Sequence, residues 1–181
     1  MPRIVKRYQV APVWRADRPG RGRFREFYQC DVDVIGSNSL LADVDVLLTL
    51  SDAIETLGIT NYTIRLNSRL CLQGLMSACK IPVNMHQSVL TALDKIDKIG
   101  VEGVIDELRE ASPPNSTLEE LIRDLESPDL GSSVRSRVEA HPVGKEGLRS
   151  VDNIANMVKP FLRGGKIKVD PILARGLDYY T

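Results

Sequence analysis

Cysteine is scarce in this 181-residue chain, and Cys30, Cys71 and Cys79 form no CxxC pair. An odd number without metal-ligand spacing argues against a disulfide framework and against a zinc site. Small buried thiols in a reducing compartment are the expectation. Histidine is scarcer still, with only His86 and His141, so no Ser/His/Asp or Cys/His constellation is on offer. No apolar run approaches the roughly 20 residues of a membrane span. The basic start, Met1-Pro2-Arg3-Ile4-Val5-Lys6-Arg7, leads into no signal-peptide core. The chain therefore reads as cytoplasmic, with no membrane partner. An excess of charge of one sign is also missing, since 24 Lys and Arg balance 24 Asp and Glu. That balance argues against a free-standing electrostatic binder of tRNA or DNA, but leaves room for a local basic site near the N-terminus. What is present is ordinary for a globular protein, at 43% hydrophobic and 27% charged. The length suits one core, or a core with a small inserted lobe.

Residues 7 to 16 read as a strand, and Asp17-Arg18-Pro19-Gly20-Arg21-Gly22-Arg23 as a Pro- and Gly-marked loop. A second strand at about 24 to 35 would complete an antiparallel hairpin with an arginine-rich tip. Its period-two alternation separates Tyr28, Cys30, Val32 and Val34, the expected core face, from Arg23, Arg25, Phe27, Gln29, Asp31 and Asp33. Asp is a poor strand former, and two on one face suggest ordered polar chemistry.

Ser37 or Asn38 can cap the next helix, in which Leu41, Val44, Leu47, Leu48, Ile54 and Leu57 recur at helical spacing before Gly58. A strand at about 62 to 66 and a helix at about 69 to 80 follow. From Ile81 to about Phe161 the chain turns helical and polar. The pattern predicts helices near 86–99, ending in DKIDKIG, and near 101–111. A third is capped by a box of Ser116 and Glu119. Residues 127–150, rich in Ser, Gly, Pro and charge, read as a loosely ordered connection. A last helix starts near Ser150 and ends or kinks around Pro160. Strand character returns from Lys166 to Ala174.

Two segments carry a family resemblance. From Trp14 the chain reads aromatic-Arg-x-Asp, a loop, then Arg23-x-x-x-Phe27-x-x-x-Asp31, which resembles the second signature motif of class II aminoacyl-tRNA synthetases. GRFREFYQCDVDVIG (22–36) is similar to the histidyl branch in particular, and ARGLDYYT (174–181) to the histidine-binding motif peculiar to that branch. The order and the helical insertion between them agree with a histidyl-tRNA synthetase. The resemblance spans the chain, but as an internal piece of a catalytic domain. The first class II motif would precede Met1, and the third motif and an anticodon-binding domain would follow Thr181.

The resemblance implies an α+β fold, a mostly antiparallel sheet flanked by helices. Residues 1–80 and 166–181 would belong to the catalytic core, and 81–165 to a helical insertion. It implies histidine, ATP with Mg²⁺, and tRNA(His) as ligands of the parent protein, and a homodimer as the family assembly. Histidine's carboxylate attacks the α-phosphate, so positive charge and positioning matter more than a nucleophile. Arg15 matches the arginine on the α-phosphate, where a planar fork can bond two oxygens. Arg23 matches the contact to the outer phosphates, Phe27 the ring that stacks on adenine, and Asp17 a carboxylate at the adenine edge. Many family members carry glutamate at that last position. Gln29 and Asp33 match the histidine pocket. Four residues apart on one strand, they point the same way about 13 Å apart, and an acid there accepts a ring N–H that most amino acids cannot offer. Asp31 fits the general class II pattern and is not assigned to histidine. Arg175 matches a second cation at the reacting phosphate, and Tyr179 and Tyr180 match the pocket tyrosines. Phosphates supply many ligands of nucleotide-bound Mg²⁺, so no protein metal ligand is assigned.

The rival class is a non-catalytic relative, either the regulatory subunit of ATP phosphoribosyltransferase or an uncharged-tRNA sensor domain. Such relatives tend to lose the arginines or blur the histidine motif, and Arg15, Arg23, Gln29, Asp33 and RGLDYYT all stand here. The parent is expected to charge tRNA, and the isolated chain to be inactive.

Overall fold

The structure, a computed structural model, describes residues 4–16, 18–110 and 118–175. The hairpin forms as the alternation predicts. Strand β1 (Val5–Trp14) pairs antiparallel with β2 (Glu26–Ile35), setting Val5 opposite Ile35 and Trp14 opposite Glu26. Arg15 N–H donates to the Arg25 carbonyl at 2.8 Å, and Gly20 and Arg23 exchange backbone bonds of 3.0 Å at the tip. Gly22 there has φ 74°, a conformation that costs glycine little.

Helix α1 (Leu40–Thr56) is capped by Ser39, whose hydroxyl accepts from Leu41 N–H. The cap thus lies one or two residues beyond Ser37 or Asn38, and Ser37 Oγ instead accepts from Ser39 N–H. At the other end Gly58 (φ 81°) donates to Glu55 C=O and Ile59 to Ile54 C=O, which satisfies the last orphan carbonyls. After β3 (Thr63–Leu66) the chain is helical through α2 (Arg69–Ala78), α3 (Val83–Leu93), α4 (Ile96–Glu110), α5 (Glu119–Leu125), α6 (Leu130–Glu139) and α7 (Pro142–Val158). A 3-10 turn at Lys159–Phe161 contains Pro160, where the helix was expected to stop, and β4 (Lys166–Val169) follows.

Several boundaries differ from the sequence pattern. Residues 127–150 are not a loose connection: they hold α6 and the first half of α7. Val134 and Val138 of α6, with Leu148, Val151 and Val158 of α7, are buried. Their helical spacing is diluted by Ser, Gly and charge, and Gly144 and Gly147 look like breakers although both lie inside α7 against other backbone. DKIDKIG does not end one helix. The break falls at Asp94–Lys95, and Gly100 (φ 73°) kinks α4 instead. The Ser116 cap lies outside the described residues, and α5 starts from Leu118 without a side-chain cap.

The α+β expectation holds, but the sheet among the described residues is two separate pairs. β1–β2 is antiparallel and β3–β4 is parallel, with Ile64 opposite Ile167. A long helical crossover between β3 and β4 is what permits parallel pairing. Helices α2 to α7 share one apolar core, with Leu75, Met76, Leu93, Leu108, Leu118 and Leu121 among its most buried members. α1 packs on α7 through Val44, Ile154 and Val158, a cluster that also takes in Leu66 and Ile167. This fixes which side of β3–β4 faces the helices.

The hairpin's expected core face is largely uncovered. Val32 and Val34 are half-buried near α1, but Tyr28 is 76% exposed and Cys30 is exposed. α1 reaches one end of the hairpin, where Lys6 pairs with Asp45, and among the described residues no element covers the rest of that face. Cys71 and Cys79 are buried as expected, and burial pushes the Cys79 thiol up to about 12.

Candidate active site

Residues directly opposite in an antiparallel pair share a face of the sheet. By the register, Arg7 stands opposite Asp33, Gln9 opposite Asp31, Ala11 opposite Gln29 and Val13 opposite Phe27. The polar face therefore gathers side chains from both strands, and Phe27, Gln29, Asp31 and Asp33 are all half-buried.

Arg15 lies just past the end of β1, with its guanidinium carbon 5.0 Å from the centroid of the Phe27 ring. A cation over an aromatic face is attracted by the ring quadrupole. The same guanidinium donates to Gln29 Oε1 at 3.3 Å. Gln29 Nε2 in turn donates to Asp31 Oδ1 at 2.6 Å. The amide of Gln29 is thus oriented from both ends, carbonyl toward the cation and NH₂ toward the acid. Farther along, Arg7 Nε donates to Asp33 Oδ2 at 2.7 Å. Asp33 raises the pKa of Arg7 above its usual value, chiefly through that hydrogen bond. The alternation of β2 alone does not point to Arg7, which comes opposite Asp33 only through the pairing of the two strands.

Arg23 sits at the loop tip, bonded through its backbone to Gly20. Asp17, Tyr179 and Tyr180 lie outside the described residues. The chain leading to the histidine-binding motif at 174–181 is anchored by residues outside both motifs. Arg65 on β3 donates to Asp170 at 2.8 Å and to Asp97 at 2.7 Å, and Asn67 Nδ2 donates to the carbonyls of Pro171 and Leu173. This pins the stretch after β4 that delivers Arg175. Arg175 itself pairs with Asp94 at 3.5 Å, between α3 and α4. The structure thus joins Arg15, Phe27, Gln29 and Asp31 and couples Arg7 to Asp33, while Arg175 has its ion pair on the helical side. An open hollow of about 710 Å³ borders this segment, lined in part by Arg65, Asp97, Arg135, Lys168 and Asp170.

The hairpin face can do two things. A flat aromatic beside a guanidinium suits a nucleobase whose phosphates run toward the cation. An amide and a carboxylate on the same face supply the acceptors that an amino acid's nitrogens require. Among the described residues, no group of three or more His, Cys, Asp or Glu is placed to hold a metal ion.

Comparison with known proteins decides the family. The sequence model described as Histidyl-tRNA synthetase matches residues 2–181. The chain belongs to the histidyl-tRNA synthetase family. It is 38% identical over 97% of its length to a histidine–tRNA ligase of Cytophaga hutchinsonii, covering 40% of that protein. It is 35% identical over its full length to the corresponding ligase of Gloeobacter violaceus, again covering 40% of it. The crystal structure of histidyl-tRNA synthetase from Nostoc sp. PCC 7120 superposes with a TM-score of 0.74 at 27% identity, over 97% of this chain and 42% of that one. The chain thus spans about 40% of the length of the histidyl-tRNA synthetases it matches. No helix among the described residues is long and apolar enough to cross a membrane.

Proposed function

We propose that the chain supplies the histidine- and ATP-facing part of the catalytic domain of a cytoplasmic histidine–tRNA ligase. In the full-length protein, the carboxylate of histidine attacks the α-phosphate of ATP and pyrophosphate leaves. The histidyl group then passes to the terminal adenosine of tRNA(His). The observation that carries this reading is the Arg15 guanidinium, stacked on Phe27 and bonded to Gln29. One residue thereby links the ring proposed for adenine to the amide proposed for histidine.

In this reading Arg15 neutralises charge on the α-phosphate, where two anionic partners must meet. Arg23 meets the outer phosphates, and Asp17 the adenine edge. Gln29 addresses the α-amino end of histidine and Asp33 its imidazole. Arg175 would add a cation at the reacting phosphate, which requires it to exchange its Asp94 partner for the nucleotide, and Tyr179 and Tyr180 would complete the histidine pocket. Mg²⁺ bound to ATP would screen the phosphate charge, and no residue of this chain is assigned to hold it. The full-length protein works as a homodimer.

ATP–pyrophosphate exchange tests the reading. Full-length protein should exchange label only when histidine is present, and the 181-residue chain alone should not. Exchange that ignores histidine would remove the specificity claim, and robust exchange by the isolated chain would remove the inactivity claim.

A further inference from the structure

Asp33 does not stand alone on its strand. Arg7 is its cross-strand partner in the register, and the 2.7 Å bond runs from Nε to a single oxygen, Oδ2. The two side chains are 54% and 43% exposed. An ion pair this wet adds little to folding stability, so its value must be sought elsewhere. Three physical consequences follow from the geometry. The carboxylate loses rotational freedom, because one oxygen is tied to the neighbouring strand. Oδ1 is left as the acceptor for a ligand. A guanidinium carries only donors, so Arg7 adds no acceptor of its own to compete for the ligand's N–H.

We infer that Arg7 is a positioning residue for histidine selection: it holds Asp33 so that Oδ1 is presented to an imidazole N–H. This rests on the proposed reading of Asp33 as the imidazole acceptor. Arg7 touches neither substrate and acts through Asp33. The arrangement discriminates by chemistry. A side chain bearing a ring N–H satisfies Oδ1, whereas an apolar or purely accepting side chain displaces water from that oxygen and gives it no donor in return, which costs more than a missing contact. Arg7 sharpens that penalty by preventing the carboxylate from turning away. Lysine would keep the charge at this position but not the planar fork that fixes the direction of the bond.

Full-length protein carrying Arg7→Ala, Arg7→Lys and Asp33→Asn, assayed by ATP–pyrophosphate exchange, separates the possibilities. Arg7→Ala should raise the KM for histidine about tenfold, which corresponds to roughly 1.4 kcal/mol, while the KM for ATP stays within about twofold. Arg7→Lys should recover part of that loss. Asp33→Asn should raise the histidine KM at least as much. A raised histidine KM in Asp33→Asn beside an unchanged one in Arg7→Ala overturns the role of Arg7 alone. An unchanged histidine KM in Asp33→Asn removes the reading of Asp33, and this inference with it. Equal rises in the histidine and ATP constants of Arg7→Ala would show a general structural defect and also overturn the inference.

Discussion

Gly74 of α2 and Gly144 of α7 meet backbone to backbone: a methyl group on Gly74 would overlap the Cα and N of Gly144. One turn on, a methyl on Gly147 would lie 2.8 Å from the Cys71 nitrogen. The two helices therefore cross at a distance only glycine allows. Alanine normally favours a helix by about 1 kcal/mol over glycine, but overpacking here should outweigh that gain. Gly74→Ala should lower stability by about 2 kcal/mol, read as an earlier urea midpoint. A variant as stable as the parent would rule out the close crossing.

The contact of Arg15 with both Phe27 and Gln29 gives two separable outcomes in the full-length protein. Arg15→Ala should lower kcat for pyrophosphate exchange by about 10²-fold or more, the scale of removing one donor aimed at developing charge. Phe27→Ala should act mainly on the KM for ATP. Steady-state titration of ATP at saturating histidine distinguishes them, and the assignment fails if the two variants behave alike.

Arg137 of α6 donates to Asp124, which is 6% exposed, and to Glu120 on α5. Ser133 Oγ supplies Asp124 with another bond at 2.8 Å. Arg137→Ala would leave a buried carboxylate without its cation, at a cost of about 2–4 kcal/mol, slightly discounted for the partly exposed arginine. The Arg109–Glu126 pair, with both side chains more than half exposed, should give less than about 0.5 kcal/mol on the same truncation. Chemical denaturation of the two variants side by side checks the contrast.

Glu55 joins the end of α1 to the turn before β4. The Tyr62 hydroxyl donates to Glu55 Oε1 at 2.8 Å, and that oxygen also accepts from the N–H groups of Arg163 and Gly164. The Tyr62 hydrogen bond, with the Gly164 and Arg163 amides behind it, holds the carboxyl below its ordinary 4.5, against a partial desolvation that raises it. A carboxylate depressed in the folded state stabilises above its unfolded value, and that contribution is lost as pH falls through the folded one. Glu55→Gln should therefore lower the melting temperature at pH 7 and flatten its decline below about pH 4.5. Melting curves from pH 7 to pH 3 would show parallel declines in both proteins if Glu55 carried no such linkage.

The hairpin and α1 were legible because their signals are local: alternation in β2, loop glycines at 20 and 22, and Gly58 at a helix end. The polar face of β2 was readable for the same reason. Its partners were not, because Arg7 and Asp33 are adjacent only through the register. α6 and the start of α7 were hidden by composition, since glycines that permit close packing resemble glycines that break helices. The uncovered Tyr28 shows another limit. Alternation tells which side chains share a face, but not whether another element reaches it.

The parallel pair β3–β4 joins Thr63 to Lys166, with every helix from α2 to α7 threaded between them. Closing so large a loop is entropically expensive before any contact repays it, so the two strands must wait for the helices to bring their ends together. The backbone that delivers Arg175 is tied down by Arg65 and Asn67 only once that closure is complete. The placement of Arg175 should thereby come late in folding, contingent on the helical middle having already found its packing.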